Sequence, residues 1–256
     1  MQLPPRPEPL SPLSSPRPSI DANTALFLDF DGTLADLAPR PDAVHVPTSL
    51  IDTLLLLQQV LQGALAIVSG RPIAQLDALL APLRAPAAGV HGVERRSADG
   101  YVWHLAAPSL DRVEATARAL QAEVPALLIE RKPGAVALHY RQAPELAQHC
   151  FDAMSAAVRE SSGLTLLHGK MVLEVKPAIA TKGHAIQAYL REPPFLGRRP
   201  LFAGDDVTDE AGFQAVQAEG GETIKVGEGE TVASHRMADP GSLRHWLAEC
   251  AARLAP

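Results

Sequence analysis

The sequence predicts an α/β protein in which a parallel-sheet core is interrupted by a smaller α+β unit. Two observations lead there. Apolar runs ending in Asp, Ser-Gly or Gly-Asp-Asp alternate with helix-like segments, the rhythm of βα units feeding a parallel sheet. Over 108–177 that rhythm gives way to helix–strand–strand, repeated twice. The core is therefore expected in two parts, 21–107 and 178–256, around an inserted cap at 108–177. Residues 1–20 differ in composition: prolines at 4, 5, 7, 9, 12, 16 and 18, mixed with serine and arginine, predict a disordered tail of polyproline character.

In chain order, an apolar strand over Ala25–Phe30 leads through a long loop to a helix over Pro47–Leu61. A strand over Ala64–Val68, a helix opened by Pro72 and a short strand over Ala87–Val90 follow. Asp99-Gly100 marks a turn between two runs that can pair as a hairpin, the return run carrying Tyr101, Val102 and Trp103. The inserted segment reads as a helix (Leu110–Glu123), strands Ala126–Glu130 and Ala135–Tyr140 turned at Pro133-Gly134, a helix (Glu145–Glu160), and strands Leu164–Leu167 and Met171–Val175 turned at Gly169. Such an αββαββ order predicts a small antiparallel sheet with helices on one face and the other face free to cover something. The core resumes with a helix near Thr181, the strand Pro200–Ala203, a helix after Thr208, the strand Thr223–Val226 and a last helix over Leu243–Leu254.

Composition narrows the function classes. The 256 residues can bury one substantial core plus a small inserted unit. A net charge of −6 with no basic cluster argues against nucleic-acid binding. The most apolar stretch, Leu50–Val68, is broken by Asp52, Gln58, Gln59 and Gln62 and does not read as a membrane span. Two distant cysteines, Cys150 and Cys250, fit a reducing cytoplasm, and no secretory signal pattern opens the sequence. No GxxxxGK[ST] phosphate loop occurs, which disfavours a kinase.

Four segments carry chemistry. In Leu26-Phe27-Leu28-Asp29-Phe30-Asp31-Gly32-Thr33, the two-residue spacing can turn Asp29 and Asp31 toward one side at the carboxyl end of a buried strand. Paired carboxyls there suit a nucleophile served by a general acid/base, although Asp-Gly also marks an ordinary turn. In Ile67-Val68-Ser69-Gly70-Arg71-Pro72, Ser69 and the small Gly70 can admit a phosphate at a helix N-terminus, or Ser69 can simply cap that helix. In Ala180-Thr181-Lys182-Gly183-His184, a lysine in a first helical turn opposes the macrodipole, a cost explained if it neutralises a phosphate or carboxylate; a solvated surface lysine is the alternative. In Gly204-Asp205-Asp206-Val207-Thr208-Asp209-Glu210, crowded acids past a buried strand suit a hard divalent cation or, more plainly, an acidic helix N-terminus.

Taken together, this ordered series resembles the haloacid dehalogenase superfamily of phosphotransferases, over nearly everything after the tail. The resemblance implies a Rossmann-like hydrolase core in which Asp29 attacks phosphorus to form an aspartyl-phosphate. Asp31 would protonate the leaving oxygen and then activate water, while Ser69, Gly70 and Lys182 hold the phosphoryl group. It also implies Mg²⁺ bound by Asp29, the backbone carbonyl of Asp31 and Asp205, with Asp209 supporting its water shell and Asp206 nearby.

Further wording resembles the bacterial trehalose-6-phosphate phosphatase family: Gly89-Val90-His91-Gly92-Val93-Glu94-Arg95-Arg96, Glu130-Arg131-Lys132, His139-Tyr140-Arg141-Gln142-Ala143-Pro144 and Gly169-Lys170-Met171-Val172-Leu173-Glu174-Val175-Lys176-Pro177. It implies hydrolysis of trehalose 6-phosphate, the last step of trehalose synthesis, by a cytoplasmic monomer with a functional link to a trehalose-6-phosphate synthase. Lys132 and Glu174 become the expected sugar ligands, joined by His139, Glu130 and His91; each could instead lie on a solvated cap face. Thr181, where serine is common, and Ala203, where a bulkier residue is common, depart harmlessly from the family wording; Pro133-Gly134 can tilt Lys132. Competing readings are a phosphatase for another sugar phosphate and a silent regulatory subunit, the latter at odds with intact Asp29, Asp31 and Asp205.

Overall fold

Strands buried on both faces must be apolar throughout, and the runs that satisfy this in the sequence form the centre of the molecule. The computed structural model describes residues 18–38, 40, 43–106, 108–169 and 171–255. The first part of the chain forms β1 (Thr24–Leu28), α1 (Thr48–Val60), β2 (Leu65–Val68), α2 (Ile73–Leu80), β3 (Ala87–Gly89), β4 (Glu94–Arg96) and β5 (Val102–His104). The inserted unit is α3 (Asp111–Glu123), β6 (Leu128–Lys132), β7 (Ala135–His139), α4 (Ala147–Arg159), β8 (Leu164–Gly169) and β9 (Val172–Pro177). The chain closes with α5 (Lys182–Tyr189), β10 (Arg199–Gly204), α6 (Glu210–Ala218), β11 (Glu222–Val226), β12 (His235–Met237) and α7 (Pro240–Leu254).

Eight strands make the larger sheet, in the order β12-β11-β10-β1-β2-β3-β4-β5. Pairing is parallel from β12 through β3 and antiparallel at the β3–β4–β5 edge. The path runs from β1 to β2 on one side and later returns through β10 on the other. The carboxyl ends of β1, β2 and β10 thus meet at a topological switch point, where open α/β sheets form their crevice. Every residue of β1 is buried, and Phe27 stacks on Phe195 at 5.3 Å between ring centroids. Leu50, Leu54 and Leu57 of α1 and Leu243, Trp246 and Leu247 of α7 belong to the same core.

The inserted unit has its own four-stranded antiparallel sheet, order β6-β7-β9-β8. Alternation along its strands separates two faces. Val136, Leu138, Leu173 and Val175 pack with Val113, Ala117, Cys150 and Met154 of α3 and α4. The other face carries Glu130, Lys132, Ala135, Ala137, His139 and Glu174. Register sets Glu130, Ala137 and Glu174 in one row across three strands.

Several expectations shift. The tail assignment at residues 1–17 lies outside the described residues, as does Lys170; Ile20, placed in the tail, is buried in the core instead. The strand expected at Ala126–Glu130 begins at Leu128, because Leu127 is buried in a turn whose amide bonds the Val124 carbonyl. β12 has no counterpart in the sequence reading. It is three residues long and polar, too little pattern to read. The last helix starts at Pro240, three residues early, capped by Asp239 accepting the Ser242 amide at 2.7 Å.

Gly183 lets α5 lie directly on α6: a Cβ there would stand 2.3 Å from the Ala211 carbonyl oxygen. Gly183→Ala should therefore cost about 1–3 kcal/mol by forcing the helices apart. An unchanged urea midpoint would show that the helices do not need this approach.

Candidate active site

The acids at the sheet's carboxyl edge converge on one buried cation. Asp29 follows β1 directly, its amide held by the Ala203 carbonyl at 2.9 Å. Lys182 opens α5 and is 3 % exposed, so it is no solvated surface lysine. Its Nζ donates to Asp29 Oδ1 and to Asp209 Oδ1, each at 2.7 Å. Asp209 Oδ2 accepts the amides of Asp205 at 3.1 Å and Asp206 at 3.0 Å, closing a capping box with Asp206. Asp206 thus serves the turn that shapes the acidic loop. Thr33 Oγ1 lies 3.0 Å from Asp205 Oδ1 and 3.3 Å from Asp29 Oδ2, tying two acids from distant parts of the chain.

Backbone freedom makes this crowding possible. Gly32 has φ +79°, and a Cβ there would fall 2.1 Å from Asp205 Oδ2. Ligand oxygens of Asp29, Asp205 and Asp209 lie within 4.8 Å of one another. Three carboxylates against the Lys182 ammonium, and the Lys225 ammonium that donates to the Asp205 carbonyl, still leave surplus negative charge, and an all-oxygen donor set fits a hard divalent cation. The cluster can therefore hold a divalent metal. The side chain of Asp31, expected to offer only its carbonyl, lies outside this cluster.

Electrostatics agree with that surplus. Burial pushes Asp29 up to about 7; Lys182 pulls it down, and Asp205 pushes it up again. Burial and the neighbouring Asp209 raise Asp205 to about 6. Asp209 is raised to about 7 by burial, with Lys182 opposing. Burial works against the charge on Lys182, but Asp209 and Asp29 more than offset it and leave its pKa raised.

Ser69, 1 % exposed at the end of β2, accepts the Arg71 amide on Oγ at 3.2 Å. Gly70 is needed for space: a Cβ would meet the His91 ring at 2.7 Å. Val90 and His91 occupy the left-handed region, φ 49° and 56°, a conformation that costs non-glycine residues about 1–3 kcal/mol each. This backbone brings His91 over Gly70, half-buried, with Nε2 3.8 Å from Glu174 Oε1. Burial, then Lys182, Lys176 and Lys132, lower the His91 pKa well below the ordinary range.

Across the cleft, Lys132 Nζ donates to Glu174 Oε2 at 2.5 Å and to the Gly70 carbonyl at 3.4 Å. The Pro133-Gly134 turn therefore leaves Lys132 aimed into the cleft. His139 Nε2 pairs with Glu130 Oε2 at 2.9 Å. Asp31, Gly70, Glu130, Lys132, His139 and Glu174 line one pocket between the two sheets. Two buried polar atoms around it, His91 Nδ1 and Glu174 Oε1, have no hydrogen-bond partner. Two residues were quoted in the motifs but given no role: Thr33, and Arg71, whose guanidinium grips Asp31. Their only signal was adjacency, Thr after Asp-x-Asp-Gly and Arg after Ser-Gly.

The sheet order, the inserted unit and the acids at the switch point define a hydrolase fold of the haloacid dehalogenase type. The trehalose-phosphatase family profile matches residues 27–242. The trehalose-6-phosphate phosphatase of Escherichia coli is 43 % identical over 235 residues, covering 90 % of this chain and 87 % of the relative. A bifunctional trehalose-6-phosphate synthase/phosphatase of Thermoproteus tenax is 35 % identical over 237 residues, 87 % of this chain but 31 % of that longer protein. A crystal structure described as a trehalose-6-phosphate phosphatase related protein superposes with a TM-score of 0.71 at 28 % identity, covering 89 % of this chain and 97 % of the other. The chain belongs to the trehalose-phosphatase family and is a phosphoric monoester hydrolase. None of its described helices is long and apolar enough to cross a membrane.

A carboxyl raised from 3.8 toward 6 or 7 binds more protons folded than unfolded between those values. Its stabilising contribution is present at low pH and lost as pH rises through that window. Chelator-treated protein should therefore melt at a lower temperature at pH about 8 than at pH about 5.5. Added Mg²⁺ should shrink that difference by compensating the ionised acids. Identical pH profiles with and without metal would contradict a cation site here.

Proposed function

We propose that this protein hydrolyses trehalose 6-phosphate to trehalose and phosphate, with Mg²⁺ and through an aspartyl-phosphate on Asp29. The observation that carries the reading is the shared cleft. Asp31 and Gly70 line its core wall, next to the buried Asp29, Ser69 and Lys182, and Lys132, Glu174, Glu130 and His139 stand opposite on the polar face of the inserted sheet. When bound, Mg²⁺ held by Asp29, the Asp31 carbonyl and Asp205, with Asp209 behind, supplies charge neutralisation for the phosphoryl group.

In this reading a carboxylate oxygen of Asp29 attacks phosphorus as the bond to the sugar oxygen breaks. Asp31 gives its proton to that leaving oxygen. Asp31 then takes a proton from water, whose oxygen attacks phosphorus and frees Asp29 and inorganic phosphate. Ser69 and Lys182 hold the phosphoryl oxygens, with Gly70 giving them room. Lys182 also keeps Asp29 oriented and favours its ionised form against the effect of burial. The unpartnered atoms of Glu174 and His91 suit the hydroxyls of an uncharged disaccharide, since an unpaired buried acceptor discriminates against ligands lacking a donor.

Residues 108–177 act as a cap domain in the same reading, closing over the sugar about hinges near 106–109 and 175–181. The enzyme is proposed to work as a cytoplasmic monomer, since one chain supplies both walls of the cleft and its two cysteines are free and buried. A functional link to the synthase is supported by the fused relative in Thermoproteus tenax.

Phosphate release from trehalose 6-phosphate, sucrose 6-phosphate and glucose 6-phosphate with Mg²⁺ tests the reading. Trehalose 6-phosphate should be preferred, and Asp29→Asn should abolish turnover. Glu174→Gln should raise KM by about tenfold with a smaller change in kcat. Preference for another ester would discard the sugar assignment and leave the core chemistry standing.

A further inference from the structure

The open edge of the larger sheet carries an aromatic pair that the proposed reaction does not use. β5 ends the strand order, so its outer edge pairs with no other described strand. Tyr101 and Trp103, two residues apart, share one face and are 59 % and 53 % exposed. Their ring centroids lie 4.7 Å apart, edge to face. With Gln62, Asp99, Pro193 and Pro194 they line a groove on the side of the molecule away from the acidic cluster. Asp99 accepts from the Ser97 hydroxyl and the Tyr101 amide and forms no ion pair with the described residues. Neither the Tyr101 hydroxyl nor the Trp103 indole N–H has a hydrogen-bond partner among the described residues.

Such a groove suits a proline-rich segment. Proline has no N–H, so its helix is recognised by aromatic faces that pack on the rings and by donors that reach its carbonyls. Tyr101 and Trp103 offer both. The sequence holds a matching segment in Arg6-Pro7-Glu8-Pro9-Leu10-Ser11-Pro12, outside the described residues. With three residues per turn, a polyproline helix would set Arg6, Pro9 and Pro12 on one edge. Arginine at one end complements the unpaired Asp99 at one end of the groove.

The start of the described chain borders the other end. Arg198 donates to the Ala22 carbonyl at 2.8 Å and to Gln62 Oε1 at 3.4 Å, so the entering chain runs beside the Gln62 wall. At about 3.1 Å per residue, the six steps from Pro18 to Pro12 span about 19 Å, and the six on to Arg6 as much again. The distance from β2 to β5 is about 14 Å at about 4.8 Å per strand, well within that reach. We propose that residues 6–12 of this chain occupy the groove, with Pro12 toward Gln62, Pro9 against the aromatic pair and Arg6 at Asp99. Tethering gives the segment an effective concentration of about 1 mM, so a contact with a Kd of about 100 µM is about nine-tenths filled. The covered edge no longer offers its aromatic pair and unpaired backbone to another strand.

Trp103 and the buried Trp246 are the only tryptophans, so acrylamide quenching of the full chain reports on the groove. The quenching constant should rise about threefold when Arg6→Ala, Pro9→Ala and Pro12→Ala are combined. A peptide of residues 4–14 at about 1 mM should reverse that rise, and a scrambled peptide should not. Reversal by the peptide also separates lost docking from lost folding. In a Trp103→Phe background the two tails should quench alike. Equal quenching of wild type and the triple variant, no reversal by the peptide, or a difference that survives Trp103→Phe would overturn the proposal. So would protection of Trp103 that grows with protein concentration, which marks a second copy as the occupant.

Discussion

The ammonium of Lys182 sits between Asp29 and Asp209, bonding to partners 153 and 27 residues away in the chain. Three parts of the fold depend on this one contact: the end of β1, the start of α5 and the entry to α6. Removing an ammonium from water costs several kcal/mol, and one carboxylate rarely compensates; here two do. The same arrangement leaves the neighbouring acids short of positive charge. The capacity to hold a cation is thus a consequence of the packing, with Gly32 and Gly183 removing the side chains that would keep the partners apart. Lysine at the first turn of a helix is unfavourable for the helix alone, and the geometry shows what offsets it.

On the opposite wall, the inserted sheet achieves a polar face by alternation. Ala135 and Ala137 stand between longer charged residues on neighbouring strands, so Lys132 can reach diagonally to Glu174 above them. One face of the sheet closes a small hydrophobic core against α3 and α4. Its reverse presents directional donors and acceptors. A single strand pattern thereby closes a core on one side and lines the cleft on the other.

Much of this was legible in the sequence because the signals are local. A polar residue at the end of an apolar run marks Asp29, Ser69 and Asp205 whatever the rest of the chain does. The αββαββ order of the inserted unit was equally plain, since each strand and helix carries its own period. What escaped depends on distance. Thr33 meets Asp205 across 172 residues and Arg71 meets Asp31 across 40, and neither pairing leaves a mark on the neighbouring letters. The start of β6 was misplaced because burial, taken as the mark of a strand, was at Leu127 the mark of a turn. Ile20 failed similarly, as an isolated apolar residue among prolines gives no period to read.

His91 filling the space above Gly70 has a consequence for how such a protein can change over generations. The two positions are geometrically coupled: a larger residue at 70 requires the His91 ring to shift or a smaller residue at 91. Position 91 also faces Glu174 on the inserted sheet. Altering the wall of the cleft through His91 therefore disturbs the loop that begins at Ser69, and altering that loop returns to the same wall. A replacement on either side of this contact is therefore felt on the other.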